Sequence, residues 1–306
     1  MATAFTIGDP SVTTWVKPDE TALGHVKDMA ERVKLMFMNE VYSDATILVG
    51  KETSTAIRIP VHFNFLKSCS KKFVTLFDSK GKSSDPIPIP DCEASPMISL
   101  LRWIYCSELV FEADRLPDVM NVAHKYAVTS LVEHVIVHFE EFTADVWCLY
   151  EYATLHGNTE LEVKCREFVG HRSSKETLET IMMDQDQWMS LSVETITSVV
   201  SDDNLLVDEV MLFSCCLIWA KAECMRKDKD GTAEELRTVM APFIEQFDFT
   251  GMDASVFASL PCESGVLTFE DQALVLRYMA LRSTGNFSTR FRSKRRPAKP
   301  AQSVLK

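Results

Sequence analysis

A histidine and a cysteine, His62 and Cys69, stand close together in the stretch "VHFNFLKSCSKKF", where apolar residues alternate with serine and lysine. A thiol beside an imidazole can act as a nucleophile with its base, but such a pair also needs a third group to orient the histidine and an oxyanion site. No motif in the sequence marks either of them. We therefore expect His62 to pack and hydrogen-bond near a helix start and Cys69 to be a small buried residue. A thiol-dependent hydrolase remains an alternative.

A second pair, His134 and His138, lies on one predicted helix at a spacing that can present two imidazoles to a metal ion. No glutamate follows the first histidine, and no Cys-x-x-Cys pair supplies further ligands. The ten glycines are scattered and form no phosphate-binding loop. We predict that the chain binds no metal and no cofactor and that it is not an enzyme.

The charge of the chain is spread unevenly. The net charge is −12, yet residues 290–306, "RFRSKRRPAKPAQSVLK", hold seven Lys/Arg and no acid. The rest of the chain therefore has 25 basic groups (32 less 7) against 44 acidic ones. This acidic body argues against nucleic-acid binding, which needs clustered positive charge. Residues 284–306 are predicted to be a basic disordered tail, either a localisation signal or a solvated end.

Three observations concern the compartment. No apolar run is long enough to span a membrane. The first residues lack the basic start and apolar core of a secretory signal. The nine cysteines are an odd number without regular spacing, which predicts free thiols in a reducing compartment. We expect a cytoplasmic protein, with a nuclear pool if the tail is a localisation signal.

The first 142 residues contain the only strand signals. Residues 1–20 are polar and are predicted to be flexible. A helix is predicted over 21–40, and its apolar residues lie on more than one side, so one of its faces is expected to contact another chain. The runs "SDATILVG" and "AIRIP" predict a hairpin. The alternating "PIPIP" predicts an edge strand, because proline cannot donate to a sheet ladder.

Helical patterns follow residue 91 and continue to the tail. They include "SLVEHVIVHFEEF", whose aligned apolar residues are Leu131, Val135, Phe139 and Phe142, and "KETLETIMM" at 175–183. The run 207–224 is apolar almost all round and is expected to be the centre of a second domain. The tryptophans expected in the cores are Trp103, Trp147 and Trp219. The predicted fold class is α+β, with a mixed domain at 21–142 and an all-helical domain at 143–283.

The stretch around His62 resembles the core signature of the BTB/POZ domain. In that family an aspartate precedes the first strand, a histidine opens a helix, and leucine, serine and two phenylalanines follow at set spacings. The matching residues here are Asp44, His62, Leu66, Ser70, Phe73 and Phe77. Further on, "IPDCEASPMISLLRWIYCSEL" is similar to the family segment that ends in an isoleucine-tyrosine pair, here Ile104 and Tyr105.

The second half is similar to the BACK domain, which often follows a BTB domain. The residues that carry this resemblance are Glu209, Phe213, Trp219, Ala220, Glu223 and Cys224. The segments "ESGVLTFEDQ" and "FSTRFRSK" resemble the linker to a PHR domain in one BTB–BACK–PHR subfamily. Because the sequence stops at Lys306, we expect no PHR β-sandwich.

The resemblance implies partners rather than substrates. BTB–BACK proteins dimerise through the BTB domain, and many recruit cullin-3 as substrate adaptors of a ubiquitin ligase. The dimer-interface residues it implies are Met29, Val33, Met36, Asp44 and His62. The implied cullin-3 surface comprises Phe77, Gly81, Lys82, Ser83 and Tyr105.

One departure from the family bears on cullin-3. Cullin-binding members commonly carry a hydrophobic-x-glutamate motif after the phenylalanine that corresponds to Phe77. This sequence reads "LFDSKGKSSDPIPI" there and has no glutamate. The alternative role is a ligase-independent scaffold or nuclear regulator that dimerises or competes with longer relatives. The sequence does not identify a substrate protein.

Overall fold

The structure is a computed structural model that describes residues 26, 28–51, 56–80, 86–112, 115–171, 185–205, 207–281 and 289–292. It divides into two compact units, Met1–Asp145 and Val146–Lys306.

The first unit combines a small sheet with helices. Its elements in chain order are α1 (Met29–Met36), β1 (Ala45–Val49), β2 (Ile57–Val61), α2 (Phe63–Cys69), α3 (Lys71–Lys80), β3 (Ile87–Ile89), α4 (Ala94–Cys106), α5 (Leu116–Lys125), α6 (Thr129–Val137) and a 3-10 helix (Phe139–Asp145). This mixture of elements confirms the α+β class.

The sheet has three strands in the order β2–β1–β3. β1 pairs antiparallel with β2, which confirms the predicted hairpin. β3 pairs parallel with β1, with Pro88 opposite Leu48, and lies at the edge as predicted. Ile87 and Ile89 are buried while Pro88 is exposed, so the period of two turns the isoleucines toward the core.

The last helix of the first unit follows its apolar pattern. Leu131, Val135, Phe139 and Phe142 are all buried, which confirms that the four residues share one face. The α-helix itself ends at Val137, and a 3-10 helix continues the chain to Asp145. The apolar face therefore continues through a change of helix type.

The second unit is entirely helical in its described part. Its elements are α7 (Val146–His156), α8 (Thr159–His171), α9 (Gln185–Ser190), α10 (Val193–Ser201), α11 (Glu209–Arg226), α12 (Ala233–Met240), two short 3-10 helices (Ile244–Gln246 and Phe249–Gly251), α13 (Ala254–Phe257), a π-helical turn (Ala258–Cys262) and α14 (Phe269–Leu281). The helix predicted at 175–183 lies outside the described residues.

The long helix α11 forms the centre of this unit, as predicted. Nine of its 18 residues are buried. Trp219 on α11 is fully buried, and its indole N–H donates to the Leu191 carbonyl at 2.8 Å. Phe213, also on α11, packs edge-on against Phe247 and Phe249. Burial of these rings supplies the apolar contact area that stabilises the unit.

Trp103 is a correction to the sequence prediction. Trp147 and Trp219 are buried as expected, and so is Trp188, whose N–H donates to the Cys215 carbonyl at 2.9 Å. Trp103, by contrast, is only half-buried on α4, and its N–H donates to the Ser130 hydroxyl at 3.1 Å. It belongs to a surface of the first unit rather than to a core.

The tail prediction also needs correction over four residues. Residues 289–292 lie against the second unit, although the sequence places them in a disordered tail. The Phe291 side chain is only 3% exposed and meets the ring of Phe249 edge-on at 5.1 Å. The contact between the rings of Phe291 and Phe249 holds this segment on the protein, although the neighbouring residues are polar. The basic residues from 293 onward lie outside the described residues.

Candidate protein-interaction surfaces

The histidine that opens α2 is held by a hydrogen-bond network inside the first unit. His62 is 6% exposed. Its backbone N–H donates to the Tyr105 hydroxyl oxygen at 2.9 Å, and its Nδ1 lies 3.1 Å from the same oxygen. Its Nε2 lies 3.2 Å from the Val41 carbonyl. The neutral tautomer that satisfies all three contacts has Tyr105 donating to Nδ1 and Nε2–H donating to Val41.

Asp44 stabilises the start of the same helix. Its Oδ1 accepts from the Phe63 backbone N–H at 2.6 Å, which satisfies one of the donors that a helix N-terminus leaves without a partner. Ser70 does the same at the next helix, where its hydroxyl accepts from the Phe73 N–H at 3.2 Å. These family-signature residues therefore position α2 and α3 rather than forming a site of their own.

Cys69 does not lie in the core, contrary to the sequence prediction. It is exposed at the end of α2, and its sulfur lies 3.7 Å from the Ser68 hydroxyl. The helix ends here because Ser70 adopts an extended backbone, so the buried face of α2 stops at Leu66. Both ring nitrogens of His62 are engaged elsewhere, so the geometry does not form the Cys–His pair of a thiol hydrolase.

The first helix has an unusual surface. None of the residues of α1 is buried, and the Met29 side chain is 69% exposed. The helix begins at Asp28, whose carboxylate accepts from the Ala30 N–H at 3.2 Å. Beyond its end, Phe37 is buried against the ring of Tyr105, at 6.1 Å between centroids.

An ion pair connects α1 to the segment after α4. The Lys34 ammonium donates to Glu108 Oε1 at 3.0 Å, and Arg102 contacts the other carboxylate oxygen at 3.3 Å. The hydrogen bond from Lys34 holds the pKa of Glu108 below its ordinary value, and the same contact raises the pKa of Lys34. Polar contacts thus help to hold α1, in which Met29 is exposed while Val33, Leu35 and Met36 are only partly buried.

The residues predicted for a dimer interface are partly brought together. Met29, Val33 and Met36 lie on α1. His62 is connected to this helix because Tyr105 contacts both His62 and Phe37. The interior partners of His62 and Asp44 show that both support the fold of the unit.

The structure describes two of the residues predicted for a cullin-3 surface, Phe77 and Tyr105. Phe77 is fully buried, with its ring 4.2 Å from that of Phe63. Tyr105 is buried as well, and burial raises the pKa of its hydroxyl. Both side chains therefore belong to the core of the first unit and do not present a surface of their own. Gly81, Lys82 and Ser83 lie outside the described residues.

The two helical histidines belong to a cluster of tilted rings that the sequence did not predict. His134 lies 4.4 Å from His138 and 4.7 Å from the ring of Trp103. His138 Nδ1 is 3.3 Å from a carboxylate oxygen of Glu141. Burial lowers the pKa of His134, and its neighbour His138 lowers it further. The helical spacing of the histidines was visible in the sequence, but their contact with Trp103 crosses from α6 to α4.

Metal ligation and thiol chemistry find little support in the described ranges. Among those residues, no group of three or more His, Cys, Asp or Glu side chains is arranged to hold a metal ion. Burial raises the pKa of the Cys92 thiol to about 11, and it raises that of Cys165 further. Such thiols stay protonated near neutral pH and are poor nucleophiles.

No helix in the part of the chain that the structure describes has the length and apolar character needed to cross a membrane.

Comparison with curated proteins gives relatives from several vertebrates. BTB/POZ domain-containing protein 3 from Homo sapiens is 27% identical over 244 residues, which cover 79% of this chain and 45% of that protein. BTB/POZ domain-containing protein 6-B from Danio rerio is 26% identical over 246 residues, or 79% of this chain and 50% of that protein. The chain spans about half the length of the curated relatives it matches.

Comparison with family models covers both units. The BTB/POZ domain model matches residues 33–143. The model described as BTB And C-terminal Kelch, or BACK, matches residues 146–252. The two matches follow one another in the order in which the mixed unit and the helical unit occur. The chain belongs to the BTB–BACK proteins, in which a BTB/POZ domain precedes a BACK domain and acts as a protein-interaction module.

Proposed function

We propose that this protein is a dimeric substrate adaptor of a cullin-3 RING E3 ubiquitin ligase. The BTB domain dimerises through α1 and binds cullin-3, and the BACK domain contributes to binding of the substrate protein. The observation that carries the proposal is the absence of any buried residue on α1, although the helix contains two methionines, a leucine and a valine.

The energetic argument for the dimer rests on apolar area. Apolar surface removed from water stabilises an interface by roughly 25 cal/mol per Å². In a two-fold dimer the same patch is used twice, so Met29, Val33 and Met36 of each protomer bury one another. The ion pair of Lys34 with Glu108 fixes α1 from its other side and orients this patch before the partner arrives.

The cullin-3 contact is proposed to be weaker than in family members that have the glutamate motif. The loop reads "SKGKSSD" and offers lysines where the family offers an apolar anchor and an acid. Loss of an anchor at the centre of an interface often removes about 2 kcal/mol or more of binding free energy. Phe77 and Tyr105 are buried and support the fold of the BTB domain, so we expect binding to be reduced rather than abolished.

The test compares the natural sequence with a repaired loop. Binding of the purified cullin-3 amino-terminal domain is measured by calorimetry for the full chain and for the variant Gly81→Leu with Ser83→Glu. We expect the variant to bind at least ten-fold more tightly. The matched control is Ser201→Glu, which makes the same change at an exposed position of the BACK domain and leaves affinity unchanged. Tight binding by the natural chain that the repair does not improve would show that the motif is dispensable.

A second candidate is a ligase-independent scaffold or nuclear regulator that dimerises or competes with longer relatives. Two observations favour it, namely the missing glutamate and the basic run at Lys294, Arg295 and Arg296. A pulldown from cell extract separates the candidates, because the scaffold retains its own copies but captures no cullin-3. Cytoplasmic localisation is proposed for the adaptor, and a nuclear pool that depends on the basic run is proposed for the regulator.

A further inference from the structure

The second unit contains a pocket, by which we mean the space that the buried side chain of Phe291 occupies. The occupant is residues 289–292, Thr-Arg-Phe-Arg, which we call the clip. Phe291 is its anchor and inserts its ring beside Phe249. Phe249 is fully buried and also meets Phe257 at 5.8 Å, so the floor of the pocket is part of the aromatic core. Because the interior of a protein is closely packed, we expect this floor to keep its shape when the clip is displaced.

Carboxylates surround this aromatic floor. The Arg290 guanidinium donates to Asp271 Oδ2 at 2.7 Å and to Glu245 Oε1 at 3.3 Å. Asp271 is itself fixed, because the same oxygen accepts from the Thr268 hydroxyl at 2.7 Å at the start of α14. Arg292 pairs with Asp203. The clip therefore meets three acids, of which Asp271 is nearly buried while Glu245 and Asp203 are more than half exposed.

The main chain of the clip is recognised as well. The Arg292 backbone N–H donates to the Glu245 carbonyl at 2.8 Å. Within the clip, the Phe291 N–H donates to the Thr289 hydroxyl at 3.1 Å, and the Arg290 guanidinium lies 5.0 Å from the Phe291 ring centre. One ring in a pocket, one backbone hydrogen bond and two charged flanks together resemble the way protein domains hold short extended peptides.

We propose that this pocket is a docking site for a partner segment of the type arginine–aromatic–arginine, and that the clip is its built-in competitor. Three carboxylates exclude acidic segments and favour a basic flank on each side of the anchor. A tethered ligand acts at an effective concentration of roughly millimolar, so a partner must bind well or arrive at high local concentration to displace it. The inference goes beyond the proposed ligase role, and every residue in it lies in the second unit, so the cullin-3 measurement neither supports nor removes it.

The experiment uses the full chain and a fluorescein-labelled peptide with the sequence of residues 287–293, Phe-Ser-Thr-Arg-Phe-Arg-Ser. Polarisation is recorded against the natural chain and against Phe291→Ala, which removes the internal anchor. Arg290→Glu is the second variant, since its side chain is half exposed and its replacement leaves no cavity. We expect the peptide to bind each variant at least ten-fold more tightly than the natural chain. A peptide in which the phenylalanine that corresponds to Phe291 is replaced by alanine should lose at least ten-fold in affinity, whereas the same change at the position of Phe287 should not.

A pocket variant locates the binding. Glu245→Ala, combined with Arg290→Glu, should weaken the peptide several-fold, whereas Glu133→Ala on the other unit should not. The proposal is overturned if both opened variants stay folded by circular dichroism and bind no peptide at millimolar concentration, because the clip is then only a part of the core. Equal affinity for the natural and opened chains would also overturn it, since the peptide would then bind elsewhere.

Discussion

The helices α1 and α11 have a similar share of apolar residues in the sequence but differ in how many of their residues are buried. Of the residues of α11, nine are buried, including Trp219 and Phe213. Of those of α1, none is buried. α11 is enclosed by other helices of its own unit, whereas α1 is held at its rim by the ion pair of Lys34 with Glu108. Apolar content alone therefore does not separate a core helix such as α11 from α1, which we propose as the dimer interface.

Under the proposed dimer, α11 contributes to the stability of the single chain and α1 contributes to the association of two chains. A core helix is buried within one chain, so substitutions in it should lower the free energy of unfolding. An interface helix is fully buried only when a partner is bound, so substitutions in it should weaken association of the two chains. Unfolding and association measurements on variants of α11 and α1 therefore test the assignment of α11 to the core and of α1 to the dimer interface.

The largest expected effect is on the core helix. Trp219→Ala removes a fully buried ring and the hydrogen bond to Leu191, and should lower the free energy of unfolding by about 3–5 kcal/mol. Chemical denaturation followed by fluorescence or circular dichroism measures it. The neighbouring Ile218→Ala is the control, because Ile218 is exposed and should change stability by less than about 1 kcal/mol. Equal losses from the two variants would contradict the burial of this helix.

A smaller effect is expected in the first unit. Asp44→Ala removes the acceptor for the Phe63 N–H and should destabilise the protein by about 1 kcal/mol, the usual value for a lost helix cap. Glu133→Ala at an exposed position is the control. Since the role of Asp44 is within the chain, its loss should leave the molar mass in solution unchanged. A change of mass without loss of stability would place Asp44 in the interface instead.

The pH dependence of the ion pair at α1 follows from two pKa shifts. The lowered pKa of Glu108 gives a contribution to stability that is present above its unfolded pKa and is lost as pH falls through the folded value. The raised pKa of Lys34 gives a contribution to stability that is present at lower pH and is lost only as pH rises through the folded pKa of the lysine. The stability difference between the natural chain and Glu108→Gln should therefore be constant from about pH 6 to pH 9 and shrink toward pH 4. A difference that grows in acid would have the wrong sign.

The smallest expected effect is at the basic run after the clip. Replacing Lys294, Arg295 and Arg296 by alanine should change the free energy of unfolding by less than about 0.5 kcal/mol, because a run of consecutive basic side chains is expected to stay solvated. Thermal unfolding of both chains measures it, and Phe291→Ala serves as the positive control. A loss above about 1 kcal/mol would show that the basic run also packs on the protein.

Local patterns predicted much of the fold. The hairpin, the edge strand and α6 follow from alternation, proline chemistry and helical periodicity, all of which act over a few residues. Leu131 and Phe142 lie on one buried face because the apolar spacing persists through the change to a 3-10 helix. Such features need no knowledge of distant contacts.

Long-range contacts explain what the sequence could not predict. Phe291 lies in a mostly polar and basic stretch, and its partner Phe249 is far away along the chain. Trp103 has helical spacing typical of a core, yet its contacts are with His134 and Ser130 on another helix near the surface. Cys69 is exposed because α2 stops before another turn would bury it. In each case the deciding neighbour or backbone change lies outside the local pattern.

The most direct test of the interface assignment is the molar mass of the full chain in solution. One chain has a mass of 34.6 kDa, and light scattering after size exclusion should give twice that mass at micromolar concentration. Met29→Asp on α1 should return the protein to one chain, whereas Met225→Asp, at a methionine that is 75% exposed on α11, should leave the dimer intact. A monomeric natural chain, or a dimer that survives Met29→Asp together with Val33→Asp, would contradict the account.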